Sequence, residues 1–177
     1  SETEIKLNYN YDNNRFNINE EYFKNFEYVD DTYKIANVSE FETFRNEVNN
    51  GNSFEGKYVQ LQNNIDLSQI TSWTPIGTIA NPFKGVFDGN GYNITNLNID
   101  NGASYQGLFG SNEGTVTNVN IKSGTIKGVN RVGSIVGINY GNIDNCSNNA
   151  TINATGYHIG GICGYSSGNV QKCYNTG

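Results

Sequence analysis

Apolar positions in the second half of the chain fall in short groups that recur every 27 residues. Gly107-Leu108-Phe109-Gly110, Ser134-Ile135-Val136-Gly137 and Gly161-Ile162-Cys163-Gly164 superimpose at that spacing. Gly114, Gly141 and Gly168 follow, then Val116, Ile143 and Val170, then Val119, Cys146 and Cys173. A unit of this length cannot bury a core alone, so the repeat predicts units stacked along an axis. The Thr, Val, Ile and Asn stretches lack the 3.6-residue apolar period of helices and read as short strands. In Val116-Thr117-Asn118-Val119-Asn120-Ile121 the period-two alternation slips by one residue at Asn118, and a strand that slips must turn. Asn tolerates the left-handed backbone region, so Asn118 is predicted at a corner, with Asn96 and Asn145 in matching places.

Ile94-Thr95-Asn96-Leu97-Asn98-Ile99 aligns with the run at 116 to 121 at a spacing of 22, which predicts one shorter coil. Coils of 22 to 27 residues have a contour of roughly 70 to 90 Å, enough for three short strands and three corners. In-register stacking would place Ile94, Val116, Ile143 and Val170 in one internal column and Leu97, Val119, Cys146 and Cys173 in a second. The expected fold is an all-β solenoid, a right-handed parallel β-helix. A propeller needs longer repeats and a leucine-rich horseshoe a denser Leu pattern.

Before the repeats, Ser39-Glu40-Phe41-Glu42 reads as a capping box, Phe41, Phe44 and Val48 share one helical face, and Gly51 ends the pattern. An amphipathic α-helix near 40 to 49 is placed to cap the open first coil. Residues 1 to 34 alternate at Ile5, Leu7 and Tyr9 and again at Phe16 and Ile18, which fits a small strand pair, a linker or an arm. The expected division is therefore 1–34 and a β-helix with its capping helix over 35–177.

Charge sharpens this division. Residues 1 to 58 hold 12 acidic and 6 basic side chains and residues 59 to 177 hold 5 of each, so the net charge of -6 lies in the first third. Lys84, Lys122, Lys127, Arg131 and Lys172 are scattered, whereas a nucleic-acid binder needs a basic stripe. No stretch approaches the ~20 apolar residues of a membrane span, and no basic-then-apolar leader opens the chain. The sequence breaks off inside what would be another repeat, so the chain is expected to continue beyond Gly177, with an open edge at its last coil.

From Tyr58 onward the chain resembles the GLUG-motif proteins of bacterial cell surfaces, with Gly107-Leu108-Phe109-Gly110 as the signature. Further landmarks are Leu61-Gln62-Asn63-Asn64-Ile65-Asp66-Leu67, Trp73-Thr74-Pro75-Ile76-Gly77, Phe83-Lys84-Gly85-Val86-Phe87-Asp88-Gly89-Asn90-Gly91 and Lys172-Cys173-Tyr174-Asn175-Thr176-Gly177. The resemblance covers about two thirds of the chain and leaves out residues 1 to 34. It implies a β-helical module of large secreted or wall-attached proteins, including some immunoglobulin-cleaving metallopeptidases whose repeats do not supply the zinc site.

Candidate chemistry is sparse. Glycoside hydrolysis needs two facing carboxylates and a lyase needs a base with a cation or metal, yet the coils offer only Asp66, Asp88, Asp100, Glu113 and Asp144. Asp88, before Gly89-Asn90-Gly91, reads as a turn residue, and Asp66 and Asp144 as outward and solvated. His158 has no second ligand at metal spacing, and no His-Glu-x-x-His occurs. Cys146 and Cys173 are expected as stacked neighbours, and all three thiols as free and slow to react. Glycosylation-type triplets, among them those that begin at Asn37, Asn93, Asn149 and Asn153, reflect composition. The sequence assigns no catalytic, cofactor-binding or metal residue. It points to a non-catalytic β-helical module of an extracellular bacterial surface protein, acting as an adhesive surface or a rigid spacer. The partners would be a host or cell-wall glycan or protein and further domains of the same polypeptide, with no nucleic acid and no membrane insertion. The alternative is a polysaccharide lyase or hydrolase domain.

Overall fold

The computed structural model describes residues 8–10, 15–17 and 31–177. The chain divides into two units, 1–30 and 31–177. In the first, β1 (Asn8–Asn10) and β2 (Arg15–Asn17) pair antiparallel with Tyr9 opposite Phe16, a small strand pair. Ile5, Leu7 and Ile18 lie outside the described residues.

Residues 31–177 form a parallel β-solenoid of about five turns. Each complete coil has four strands, not three, and the coils stack into four parallel sheets. The first sheet runs through β3 (Tyr33–Ile35), β4 (Tyr58–Leu61), β6 (Val86–Asp88), β10 (Thr115–Thr117), β14 (Asn142–Asp144) and β18 (Asn169–Gln171). The second holds β5 (Ile65–Asp66), β7 (Asn93–Thr95), β11 (Asn120–Ile121), β15 (Ser147–Asn148) and β19 (Tyr174–Asn175). The third holds β8 (Leu97–Ile99), β12 (Gly124–Gly128) and β16 (Thr151–Ala154); the fourth holds β9 (Phe109–Asn112), β13 (Val136–Asn139) and β17 (Cys163–Ser166). The solenoid begins at β3, two residues before the expected boundary at 35.

Two expected columns need correction. Val116 stacks on Phe87 and under Ile143 and then Val170, while Ile94 belongs to the next sheet, between Ile65 and Ile121. Leu97 stacks under Gly124 rather than Val119. Val119, Cys146 and Cys173 do share a column, because Ser147 N–H donates to Val119 O and Tyr174 N–H to Cys146 O. There is no short coil; the 22-residue alignment matches two different corners. Asn96, Asn118 and Asn145 all have positive φ, 58°, 54° and 52°, as corners require. Asn118 and Asn145 turn the chain from the first sheet to the second, whereas Asn96 turns it from the second to the third.

The core is apolar at the N-terminal end and partly amidic further on. Val59, Phe87, Val116 and Ile143 are fully buried along the first sheet. Along the second, Ile65, Ile94 and Ile121 give way to Asn148, also fully enclosed. Asn148 donates to Ala150 O at 2.9 Å and to Asn175 Oδ1 at 2.7 Å, and accepts from Ala150 N–H at 2.9 Å. A second amide ladder joins Asn112 to Asn139 at 2.7 Å and Asn139 to Ser166 Oγ at 3.0 Å. The amides of Asn112, Asn139 and Asn148 are satisfied by the next coil or by a turn two residues on, which removes the cost of burying them bare.

Helix α1 (Val38–Asn49) occupies the first coil between β3 and β4. Its N-cap is Asn37, not Ser39: Asn37 Oδ1 accepts Glu40 N–H at 3.0 Å, and Glu40 Oε2 reaches back to Ala36 N–H at 2.7 Å. The capping logic holds two residues earlier than the sequence suggests. At the other end Gly51 N–H bonds Val48 O and Asn52 N–H bonds Glu47 O, with Gly51 at φ 105°. That pattern is the glycine stop of a Schellman motif. Phe41, Phe44 and Val48 are fully buried. The Phe41 ring lies 4.9 Å from Trp73 and 5.9 Å from Phe87, and Phe44 lies 4.9 Å from Phe54 and 5.7 Å from Phe83. The helix thus closes the mouth of the first coils with aromatic rings.

Candidate functional site

The five coil carboxylates are held apart by local engagements. Asp88 Oδ1 accepts Asn90 N–H at 2.8 Å, which makes it a turn residue as expected. Its carboxylate also accepts Tyr58 Oη at 2.5 Å, Gln60 Nε2 at 3.1 Å and Asn118 Nδ2 at 2.8 Å. Burial alone would raise the Asp88 pKa, but these donors outweigh it and hold it below the usual carboxylate range. The amide of Asn96, 2.7 Å away, with Ser68 N–H, lowers Asp66 in the same sense. Asp100, Glu113 and Asp144 pair with Lys127, Lys84 and Lys172 at 2.8, 3.2 and 4.0 Å. A general acid needs a raised pKa, and Asp66 and Asp88 are shifted the other way.

The three thiols are free. Cys163 is pushed up to about 12 by burial. Cys146, buried in its column, is raised by its hydrogen bond to the Cys173 thiol and by burial. That same bond, together with the Cys146 N–H 3.4 Å from its sulfur, lowers Cys173 to about 7. Cys163 and Cys173 are both half-buried, and the lowered pKa makes Cys173 the thiol most prone to react. Among the described residues, no three His, Cys, Asp or Glu side chains converge into a metal-binding group.

A cluster of aromatic and cationic side chains forms at the corner that leads into the fourth sheet. Tyr105, Arg131 and His158 stack there in successive coils, each in the left-handed region with φ of 62°, 55° and 59°. Tyr105 N–H bonds Asn130 O and Arg131 N–H bonds Tyr157 O, at 2.9 and 3.0 Å; Gln106 N–H bonds Arg131 O and Val132 N–H bonds His158 O, both at 3.1 Å. Bulky side chains seldom occupy this region, and coil-to-coil bonds hold all three in it. The glycine that ends each signature makes room for them. A Cβ on Gly137 would lie 2.6 Å from the Tyr105 carbonyl carbon, and one on Gly164 would lie 2.5 Å from that of Arg131.

This backbone aims an aromatic cluster outward. The Arg131 guanidinium carbon is 5.3 Å from the Tyr105 ring centre and 5.9 Å from those of both Tyr157 and Tyr165. His158 stands edge-on between Tyr157, at 5.0 Å, and Tyr165, at 5.2 Å. Tyr157 is 58% exposed and Tyr165 is 37% exposed, so their rings stand in water. Arg131 Nη1 donates to Tyr105 Oη at 3.4 Å, and its Nε is enclosed without a partner. Unlike Lys84, Lys127 and Lys172, Arg131 has no carboxylate within ion-pair distance among the described residues. The sequence reading treated Arg131 as one scattered cation and His158 as a lone histidine, and passed over Tyr105, Tyr157 and Tyr165. Alignment on the signature would have brought Arg131 and His158, each three residues ahead of it, into one column.

No curated protein matches the chain significantly. Among solved structures, a proposed immunoglobulin A1 protease from Bacteroides ovatus is similar at 17% identity and a TM-score of 0.48, over 82% of this chain and 67% of that one. The family model described as the GLUG motif matches residues 128–153, a span from the end of β12 into β16, so this chain carries a GLUG repeat as one turn of its solenoid.

Proposed function

We propose that residues 31–177 are a non-catalytic β-helical module of an extracellular bacterial surface protein, and that the module binds a host or cell-wall ligand through the Tyr105–Arg131–His158 corner. One observation carries this reading: three bulky residues held at positive φ present a cation and two water-exposed tyrosine rings side by side. Strained positions of this kind cluster at functional sites, and tyrosine supplies contact area with little entropy to lose. The lowered carboxyls of Asp66 and Asp88 and the ion pairs of the other three acids favour binding over hydrolysis or elimination.

The test is binding of the full chain to a glycan array and to immobilised host-matrix proteins, alongside a Tyr157→Ala/Tyr165→Ala variant of unchanged melting temperature. Retention by the wild type and loss by the variant is the expected result. Retention of neither leaves the spacer role. Release of reducing ends from a polysaccharide, abolished by Asp88→Asn, would establish the enzyme alternative instead.

A further inference from the structure

We infer that the corner selects an acidic saccharide, a sugar carrying a carboxylate, with Arg131 pairing to the acid group and the Tyr157 and Tyr165 rings covering a face of the sugar. This rests on the reading of the corner as a binding surface and adds its ligand class.

Arg131 is held among three tyrosine rings, which steady a cation without neutralising it. Its Nη1 is engaged by Tyr105 and its Nε is enclosed, which leaves Nη2 as the guanidinium nitrogen that, among the described residues, is neither bonded nor buried. A guanidinium is planar and weakly hydrated, and it is matched to a carboxylate better than any other side chain. Of the other coil cations, Lys84, Lys127 and Lys172 are already paired with acids, and Lys122 has neither an acid nor an aromatic ring beside it among the described residues, so Arg131 alone sets an unpaired charge among rings. Arg131 therefore offers an uncompensated positive charge on a chain whose net charge is -6.

The shape of the corner excludes other acidic polymers. A nucleic acid would require a row of cations along its backbone, and the corner has one. An extended peptide would require unpaired backbone groups to add to, whereas N–H groups of Tyr105, Gln106, Arg131 and Val132 are bonded to the next coil. What remains exposed is ring surface beside a single charge. An acidic sugar has that form, an apolar C–H face with one carboxylate at its edge, and the His158 imidazole between the rings can meet its hydroxyl groups.

The experiment is calorimetric titration of the full chain with two matched pairs: sialyllactose against lactose, and trigalacturonate against its methyl ester. The pairs separate a host-type acid from a cell-wall-type acid. At least one acidic member should bind ten-fold or more tighter than its neutral partner. Arg131→Asn should erase that difference while the chain stays folded, because Asn already occupies the left-handed corners at 96, 118 and 145. Arg131→Lys should retain part of it. Tyr157→Ala should weaken acid and neutral forms by the same factor. Equal binding of acid and neutral members, or an acid preference that survives Arg131→Asn, overturns the inference and leaves the binding surface standing. Absence of binding to every glycan and matrix protein tested overturns both.

Discussion

Gly137→Ala adds one methyl group beneath the Tyr105–Arg131 corner. Its Cβ would sit 2.6 Å from the carbonyl carbon of Tyr105, 2.8 Å from its Cα and 2.9 Å from Arg131 O, whereas ordinary contact begins near 3.4 Å. The Tyr105 peptide would have to retreat by about 0.8 Å. It is poorly free to do so, since Tyr105 N–H is bonded to Asn130 O and Gln106 N–H to Arg131 O. Overpacking of this kind costs about 1 to 3 kcal/mol, and rigid backbone as the obstacle places it in the upper part of that range. Against it stands a gain of about 0.4 to 1 kcal/mol, because alanine restricts the unfolded chain more than glycine. The net expectation is a loss of about 1 to 2 kcal/mol. Denaturant titration would show it as a lower midpoint at unchanged slope, with exposed Thr151→Ala as a control that stays within about 0.5 kcal/mol. The same displacement separates the Tyr105 ring from the Arg131 guanidinium, so ligand retention should fall as well. A midpoint equal to or above that of the wild type, with binding intact, would refute the claim that this glycine exists to admit the neighbouring coil.

Three other outcomes are expected. Phe44→Ala empties a site lined by Phe41, Tyr33, Phe54, Phe83 and Phe87 and should cost about 3 to 5 kcal/mol; hydrogen exchange should accelerate in β3, α1 and β4 and stay unchanged in β13, and equal acceleration in both would contradict a stack that couples only neighbours. Alkylation followed by mass spectrometry should label Cys173 in the native state with a midpoint near pH 7 and label Cys146 and Cys163 only after denaturation; native labelling of Cys146 ahead of Cys173 would reverse the assignment. Asp88 is held below its ordinary pKa, so its contribution is present above about pH 3.9 and is lost as pH falls through the folded value; Asp88→Asn should flatten the acid limb of the stability profile, and an unaltered limb would remove Asp88 as its source.

Much of this architecture was legible because the repeat records what stacks on what. The 27-residue spacing correctly places Val136 under Cys163 and Val116 under Ile143. It failed where local patterns are ambiguous. An apolar residue, a spacer, Asn and another apolar residue describe Asn96 and Asn118 equally, although these turn different corners. Only pairing at long range separates them. Phe87 lies 29 residues before its partner Val116, because the turn from Gly89 to Tyr92 inserts extra residues into the corner there. The fourth strand of each coil was folded into the expected three for a related reason: β9, β13 and β17 follow loops rather than single-residue corners. The aromatic cluster at this corner was hidden because Tyr105 and Arg131 are not residue types that announce a left-handed backbone, so the conformation they share with His158 appears only when the coils are assembled.

Since each coil pairs in parallel with the next, the hydrogen bonds of all four sheets run along the solenoid axis. Tension applied between the ends of such a stack meets one coil-to-coil interface after another, in series. Each 27-residue coil that peels away exchanges a stacked height of about 4.8 Å for roughly 90 Å of extended chain. Under load such a stack lengthens stepwise, as a shock absorber does, roughly 85 Å at a time. The end sealed by Phe41, Phe44 and Trp73 yields last, while the coils from β13 onward, where Asn139 and Asn148 take interior places, yield first.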